Sequence, residues 1–318
     1  MALTIVKADR IVRTMLGLLE REVSLPALVW RDAGGDFRGA KDDTITIRLP
    51  SYFKANTRVL RAGTTRTESS LLERTVTVTL DTDVYGKVPI TDEELTLDIE
   101  SFNDQIVVPV VGGIVRAVED ALVTEVEDAT YANEVEIPQV GTAGEVYGAC
   151  VDARKYLNDS RVPTSGRSLI AGSAVEAAML KDPYFVRADM AGSGDPLRSG
   201  LIGRIAGMPV YMIPALEPDE AYAFHRTAYV LSSRAPFVPR GVPWGATMAW
   251  QGFALRVAQA VDPDELVDNF HADTWIGTNV VTDRGALDAN GRFEPAEDPD
   301  ESGASDLFVR AVKMTLAS

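Results

Sequence analysis

Two stretches alternate polar and apolar residues at every second position. Thr44-Ile45-Thr46-Ile47-Arg48-Leu49 and Arg74-Thr75-Val76-Thr77-Val78-Thr79-Leu80 each set threonines on one face and aliphatic side chains on the other, which is the period of a β-strand. Between them lie 24 residues, 50–73, carrying Lys54, Arg58, Arg61 and Arg66. Hairpin loops usually have roughly two to five residues, and an isolated two-stranded hairpin is marginal in water. The local sequence supplies no third strand for the apolar face. The pattern predicts a long arm, supported either by a neighbouring subunit or by its own domain.

Helical spacing appears on both sides of this arm. Ile5, Ile11, Val12, Met15, Leu16 and Leu19 fall close to a helical face before the pattern is lost at Pro26 and Gly34-Gly35. After the arm, Thr91-Asp92-Glu93-Glu94 and Ser101-Phe102-Asn103-Asp104 resemble capped helix starts. From the second start, Phe102, Ile106, Val110, Ile114, Val118, Leu122 and Val126 recur every four residues, predicting one long helix with a buried stripe. Pro109 removes a backbone donor and is expected to bend or interrupt it. The other face bears Glu119, Asp120, Glu125, Glu127 and Asp128, with Arg116 as its only base. No second cluster completes a coordination shell, so these acids read as a solvated face before a metal site.

From about residue 137 the texture changes to short α/β units. Residues 145–157 are amphipathic, 167–171 read as a strand, and Ser173-Ala174-Val175-Glu176 reads as a capping box opening a helix. A glycine-rich stretch, 192–203, precedes a strand around 209–213, and segments 222–232 and 247–261 complete the block. The tail offers a strand at 275–281, a turn at Asn290-Gly291, an acidic loop at 294–303 and a last strand at 307–316. The pattern suggests a discontinuous domain, made by the chain's later part with the long helix and interrupted by the α/β block.

Composition narrows the chemistry. The 318 residues are 46% hydrophobic and 25% charged, a globular balance. With 31 basic and 47 acidic side chains the net charge is −16, which opposes whole-surface attraction to nucleic acid. The charge is unevenly placed: residues 1–75 carry a net +4 and the remainder −20. Complementary regions of this kind steer one copy of a chain toward another. A single cysteine, Cys150, rules out an intramolecular disulfide framework. The longest uninterrupted apolar run, 106–115, falls well short of a span of roughly 20 residues, so the expectation is a soluble protein with no membrane partner.

The sequence carries no recognisable catalytic motif. There is no phosphate-cradling loop, since Gly86-Lys87 runs into Val88, and Gly192-Ser193-Gly194 lacks the third glycine of a dinucleotide fingerprint. There is no G-x-S-x-G elbow, and His225 and His271 do not form a zinc-binding pair. Cys150 shares an apolar helical face with Val146 and Ala153 and reads as an inert buried thiol. His225 reads as a packed histidine. The expectation is no catalytic residue, no metal and no cofactor. A soluble α/β hydrolase or transferase with an unrecognised site is the rival from another class.

The order of the parts resembles the major capsid proteins of tailed bacteriophages, the HK97-type fold. The resemblance lies in Val88-Pro89-Ile90-Thr91-Asp92-Glu93-Glu94-Leu95 leading to Asp98 and Gln105, in Arg161-Val162-Pro163 with the Arg167 strand, and in the run from Gly200-Leu201-Ile202-Gly203 through Arg204-Ile205-Ala206-Gly207 to Met208-Pro209-Val210. Ala223-Phe224-His225-Arg226 also looks like the family.

The resemblance implies an α+β fold with an N-terminal arm (1–42), an extended loop (43–80), a discontinuous peripheral domain (81–138 and 262–318) built on a spine helix, and an axial α/β domain (139–261). It implies self-association into hexamers and pentamers, with a shell around double-stranded DNA held without sequence-specific binding. The location implied is the virion capsid, assembled in the cytoplasm of a bacterial host. Lys54, Arg58, Arg61, Arg66, Arg74, Glu119, Asp120, Glu125, Glu127 and Asp128 are the subunit-interface candidates. Lys54 and Asn279 are the candidates for a crosslink of the kind some members make. The fold is expected to start within about 40 residues, which implies a separate scaffolding protein or none; a portal is the other partner implied. An encapsulin-like compartment shell is the nearest alternative.

Overall fold

Strand pairing and helix burial follow the sequence pattern closely where the pattern is local. The structure is a computed structural model that describes residues 25–31, 44–52, 55–60, 72–91, 103–138, 144–182, 184, 203–242, 244–250, 253–262, 267–296 and 303–317. The expected N-terminal helix, residues 92–94 of the expected helix start and the glycine-rich stretch up to residue 202 lie outside them; Thr91, the first residue of that start, ends a strand instead.

The chain opens with a short helix, α1 (Leu25–Leu28). Strands β1 (Thr44–Tyr52) and β2 (Leu72–Thr79) then form a two-stranded sheet. Its alternation is the predicted one: Leu49, Val76 and Val78 are buried, and Thr75, Thr77 and Thr79 are exposed. The burial arises within a single chain, so the foot of the hairpin rests on its own subunit. Support from a neighbour is therefore not needed there. The sequence reading missed the element that follows at once, β3 (Thr82–Thr91), which is not part of the hairpin sheet. A strand that carries Gly86 and Pro89 has weak local β signal, and its long partner strand lies far along the chain.

A five-residue π-helical turn, Asn103–Val107, leads into α2 (Val108–Asp128). Pro109 does not interrupt this helix. It falls in the first α-helical turn, where its missing N–H is least costly. Ile106, Ile114, Val118, Leu122 and Val126 are buried as the spacing predicts, with Val111, Val115 and Val123 broadening the stripe. Next come β4 (Glu134–Ile137), α3 (Glu145–Asp159), β5 (Arg167–Ala171) and α4 (Ser173–Lys181). The capping box expected at Ser173 is not formed. Gly172 is the N-cap, and the Pro218 carbonyl accepts from the Ala174 and Val175 amides at 3.0 and 3.2 Å, so the first turn already has its acceptor.

The remaining elements are strands: β6 (Arg204–Ile205), β7 (Met208–Met212), β8 (Glu220–His225), β9 (Tyr229–Arg234), β10 (Trp244–Trp250), β11 (Phe253–Asp262), β12 (Val267–Val280), β13 (Asp283–Leu287), β14 (Phe293–Pro295), β15 (Ser305–Leu307) and β16 (Ala311–Leu316). The strand expected at 275–281 is longer than predicted, and the last strand is two, separated around Arg310. The turn at Asn290-Gly291 is as expected: the Asp288 carboxylate accepts from the Asn290 and Arg292 amides at 2.7 and 2.8 Å, and Gly291 takes φ +75°.

The chain divides into two compact units. The first comprises residues 1–45, 78–128 and 229–279. In it β10, β11, β12 and β3 run side by side, with β9 also paired to β12. One face of this sheet buries Val84, Ile90, Leu255, Val257, Phe270 and Ala272, and β3 packs against α2. Arg256 and Asp273, directly opposite in β11 and β12, form a two-pronged ion pair at 2.8 and 2.5 Å.

The second unit comprises residues 46–77, 129–228 and 280–318. Its six-stranded sheet has the order β4-β16-β8-β5-β7-β6, with parallel pairs β16–β4 and β5–β7 among antiparallel ones. Val146, Cys150, Ala153 and Leu157 of α3 and Val175 and Met179 of α4 share one core with this sheet. A three-stranded sheet, β14-β13-β15, completes it.

These divisions fall elsewhere than the sequence reading placed them. Strands β9–β11 sit with β3 and β12 rather than with the 139–261 block, and β16 joins the α/β sheet between β4 and β8. Which sheet a strand enters is a matter of non-local hydrogen bonding, on which period-two alternation is silent.

Candidate functional site

The expected interface residues are distributed over three places. Lys54, Arg61 and Arg66 lie outside the described residues. Arg58 is exposed in the connection between β1 and β2, beside Val59 and Leu60, which are 76% and 87% exposed.

Arg74 has a different place. It is at the foot of the hairpin, where its guanidinium pairs with Asp283 of β13 within the same chain. A base from the positive leading quarter thus meets an acid from the negative tail inside one subunit, and part of the charge split is satisfied there.

The acidic helix face is likewise mixed. Asp120 and Asp128 are exposed, as a solvated face requires. Glu119, half-buried, accepts from the Leu25 amide at 3.4 Å and so holds the start of α1. Glu125 accepts from the Thr278 hydroxyl at 3.0 Å, tying α2 to β12. Glu127 is half-buried. Asn279, next after Thr278, is half-buried at the end of β12; its proposed crosslink partner, Lys54, lies outside the described residues. Among the described residues no group of three or more His, Cys, Asp or Glu side chains could hold a metal ion.

Neither catalytic suspect is poised for chemistry. Burial, and secondarily the Asp182 charge, pushes the Cys150 thiol up to about 12. A thiol so protonated is not a nucleophile at neutral pH. His225 is held below its ordinary value, first by burial and then by the nearby arginines, Arg310, Arg167 and Arg226, against the pull of a hydrogen bond to the Ser165 backbone.

The sequence reading missed the best-organised polar group in the second unit. Arg310 donates to both Asp283 carboxylate oxygens, Nε to Oδ2 at 2.6 Å and Nη2 to Oδ1 at 2.8 Å. Its Nη1 donates to the Thr227 hydroxyl at 2.9 Å, and that hydroxyl is 2.8 Å from His225 Nδ1. Together with Arg74 these side chains form a continuous chain from the hairpin foot to His225. Arg167 completes the surroundings without a carboxylate: its three nitrogens donate to the Pro163 carbonyl, the Asn158 side-chain oxygen and the Val162 carbonyl at 2.8, 2.8 and 2.6 Å. Two chain-distant arginines, Arg74 and Arg310, converge at Asp283, and no local spacing marks them.

No family model matches the chain, and no curated protein does. Solved structures do. A chain of Mycobacterium phage Che8 gives a TM-score of 0.62 at 16% identity, covering 92% of this chain and 91% of that one. The capsid of the cyanophage P-SCSP1u gives 0.61 at 10% identity, covering 88% and 85%. A virus-like particle from Pyrococcus furiosus gives 0.51 at 11% identity, covering 96% and 98%. The mixed α+β architecture anticipated from the order of sequence elements is theirs: this chain has the fold of bacteriophage capsid proteins.

Proposed function

We propose that the chain is a structural shell subunit, a major capsid protein that associates into hexamers and pentamers and closes an icosahedral shell around double-stranded DNA. The observation that carries this reading is the length of the likeness, which runs over nine-tenths of this chain and of its counterpart from phage Che8. The exposed Val59 and Leu60 on the hairpin support it. The arm is anchored at its foot by its own subunit, which leaves the tip to reach a neighbour. Head-to-tail contacts of that kind close into rings.

The exposed acids Asp120 and Asp128 fit a shell that confines DNA without gripping it, since adhesion grows with the number of neutralised phosphates. Hexamers, pentamers, a separate scaffolding protein, a portal and the place of the acids relative to the lumen all belong to this reading. So does assembly in a host cytoplasm.

A cellular compartment shell is the second reading, favoured by the end-to-end match to the Pyrococcus furiosus virus-like particle. Electron microscopy of the purified full chain tests both. Closed shells or tubes support a shell subunit, and nuclease-protected DNA against co-purified protein cargo separates the two kinds. Monodisperse monomers that turn over a small substrate would overturn them both.

A further inference from the structure

The hairpin foot is wired to a buried histidine, and the wiring has a direction. Arg74 and Arg310 converge on Asp283, the three side chains being 18%, 13% and 9% exposed. Asp283 has both oxygens occupied by Arg310, and one of them also receives Arg74. Arg310 is steadied in turn by the Thr227 hydroxyl, which sits between it and the histidine. The Thr227 amide donates to His225 Nδ1 at 3.3 Å. This fixes Nδ1 as the acceptor and places the ring proton on Nε2; the imidazole also has a hydrogen bond to the Ser165 backbone. Thr227 therefore gives its hydroxyl proton to His225 and its oxygen lone pair to Arg310.

We propose that Asp283 is a latch fixing the foot of the β1–β2 hairpin to its own subunit, and that the protonation state of His225, relayed through Thr227 and Arg310, sets how firmly the latch holds. A second proton on His225 turns Nδ1 into a donor facing two donors, the Thr227 amide and hydroxyl. The hydroxyl must rotate, and the new cation faces Arg310, Arg167 and Arg226. On the carboxylate side Asp283 faces only the cations Arg74 and Arg310 among these groups, while its neighbour Arg284 pairs with Asp306 at 3.9 Å. Repulsion therefore falls on Arg310, the residue that orients Asp283 toward Arg74. Acid loosens the foot. The inference concerns the single subunit and is independent of which kind of shell, if any, the chain forms.

Hydrogen exchange on the full chain tests it, read at the amides of residues 74–79 at pH 7.5 and 5.5 with rates corrected for intrinsic chemistry. The amides of β5 serve as the fold reference. In the wild type the 74–79 amides lose more protection at pH 5.5 than those of β5, whose loss reports the global weakening alone. Arg74→Gln raises their exchange at least about tenfold at both pH values, the loss expected for a charge-assisted bond, and abolishes the acid response. His225→Gln, which keeps an acceptor and does not titrate, stays protected at both. An unchanged acid response in His225→Gln, or unchanged protection in Arg74→Gln, overturns the proposal. If β5 also loses protection in His225→Gln, the Arg74→Gln variant decides alone: an acid response that persists there overturns the latch.

Discussion

Gly277 of β12 passes so close to the hairpin foot that a Cβ at its position would lie 2.1 Å from the carbonyl oxygen of Thr79. The obstructing atom is backbone, so no rotamer change relieves it. Residues 79 and 277 lie beside the last paired position of β3 and β12, Thr82 with Ile276. A glycine there lets the hairpin leave the sheet at close quarters. Gly277→Ala is expected to cost about 1–3 kcal/mol, as overpacking does, read as a lower urea midpoint at constant slope.

The connection between β1 and β2 obeys the opposite rule. Val59 and Leu60 are exposed in the single subunit, so Val59→Asp with Leu60→Asp should leave the unfolding midpoint within about 0.5 kcal/mol of wild type. Assembly, followed by electron microscopy and light scattering, should be lost. Shells of normal form from this variant would remove Val59 and Leu60 from the interface.

Arg256 and Asp273 link β11 to β12 through two hydrogen bonds, with Asp273 the more deeply buried. Asp273→Ala should destabilise the first unit by about 2–3 kcal/mol, below the cost for a wholly buried pair because Arg256 keeps some solvent and a bond to the Phe237 carbonyl. Arg256→Ala should cost at least as much, since it leaves the buried carboxylate unpaired. Chemical denaturation of both single variants and the double gives the coupling directly.

Cys150, fully buried among Val146, Ala153 and the sheet, should be silent to aromatic disulfide reagents at pH 8 in the native chain. One equivalent should react once denaturant is added. Its thiol, pushed up to about 12, leaves a negligible thiolate fraction. Rapid native labelling would contradict the burial.

Acid should weaken the fold through both histidines. His225 and His271 are each held below the ordinary value near 6.5, first by burial. The native state thus binds fewer protons than the unfolded chain in the window below that value. Their stabilisation is complete above about pH 6.5 and is lost as pH falls through the depressed values. Urea midpoints at pH 7.5, 6.5 and 5.5 should fall in the wild type and fall less in His225→Gln with His271→Gln. Asp288, lowered chiefly by its hydrogen bond from the Arg292 amide, acts only in more acidic solution and leaves this window alone.

Local periodicity was a sound guide to elements and a poor one to their partners. The alternation at 44–49 and 74–80, the four-residue recurrence along α2 and the buried faces of α3 and β5 all appear where their side chains dictate. β3 was missed because Gly86 and Pro89 dilute its strand signal, although Gly86 is needed: a Cβ there would come within 2.7 Å of Val110. Arg74 was read as a base for a neighbouring subunit because its acid, Asp283, is more than 200 residues away. Glu119 and Glu125 looked like solvated acids for the same reason, their partners being Leu25 and Thr278.

By itself the sequence determined the kind of protein: an α+β chain with a long alternating arm, a striped helix and no assembled catalytic motif, in an order shared with phage capsid proteins. Those properties are set by neighbours three or four residues apart, or two along a strand, and so are written locally. Tertiary structure alone decided that the arm is footed on its own subunit while Val59 and Leu60 stay exposed. It also decided that β9–β11 leave the α/β block for the sheet of β3 and β12, and that Asp283 gathers Arg74 and Arg310. Sheet order and buried ion pairs depend on residues brought together only by folding, and no local period encodes them.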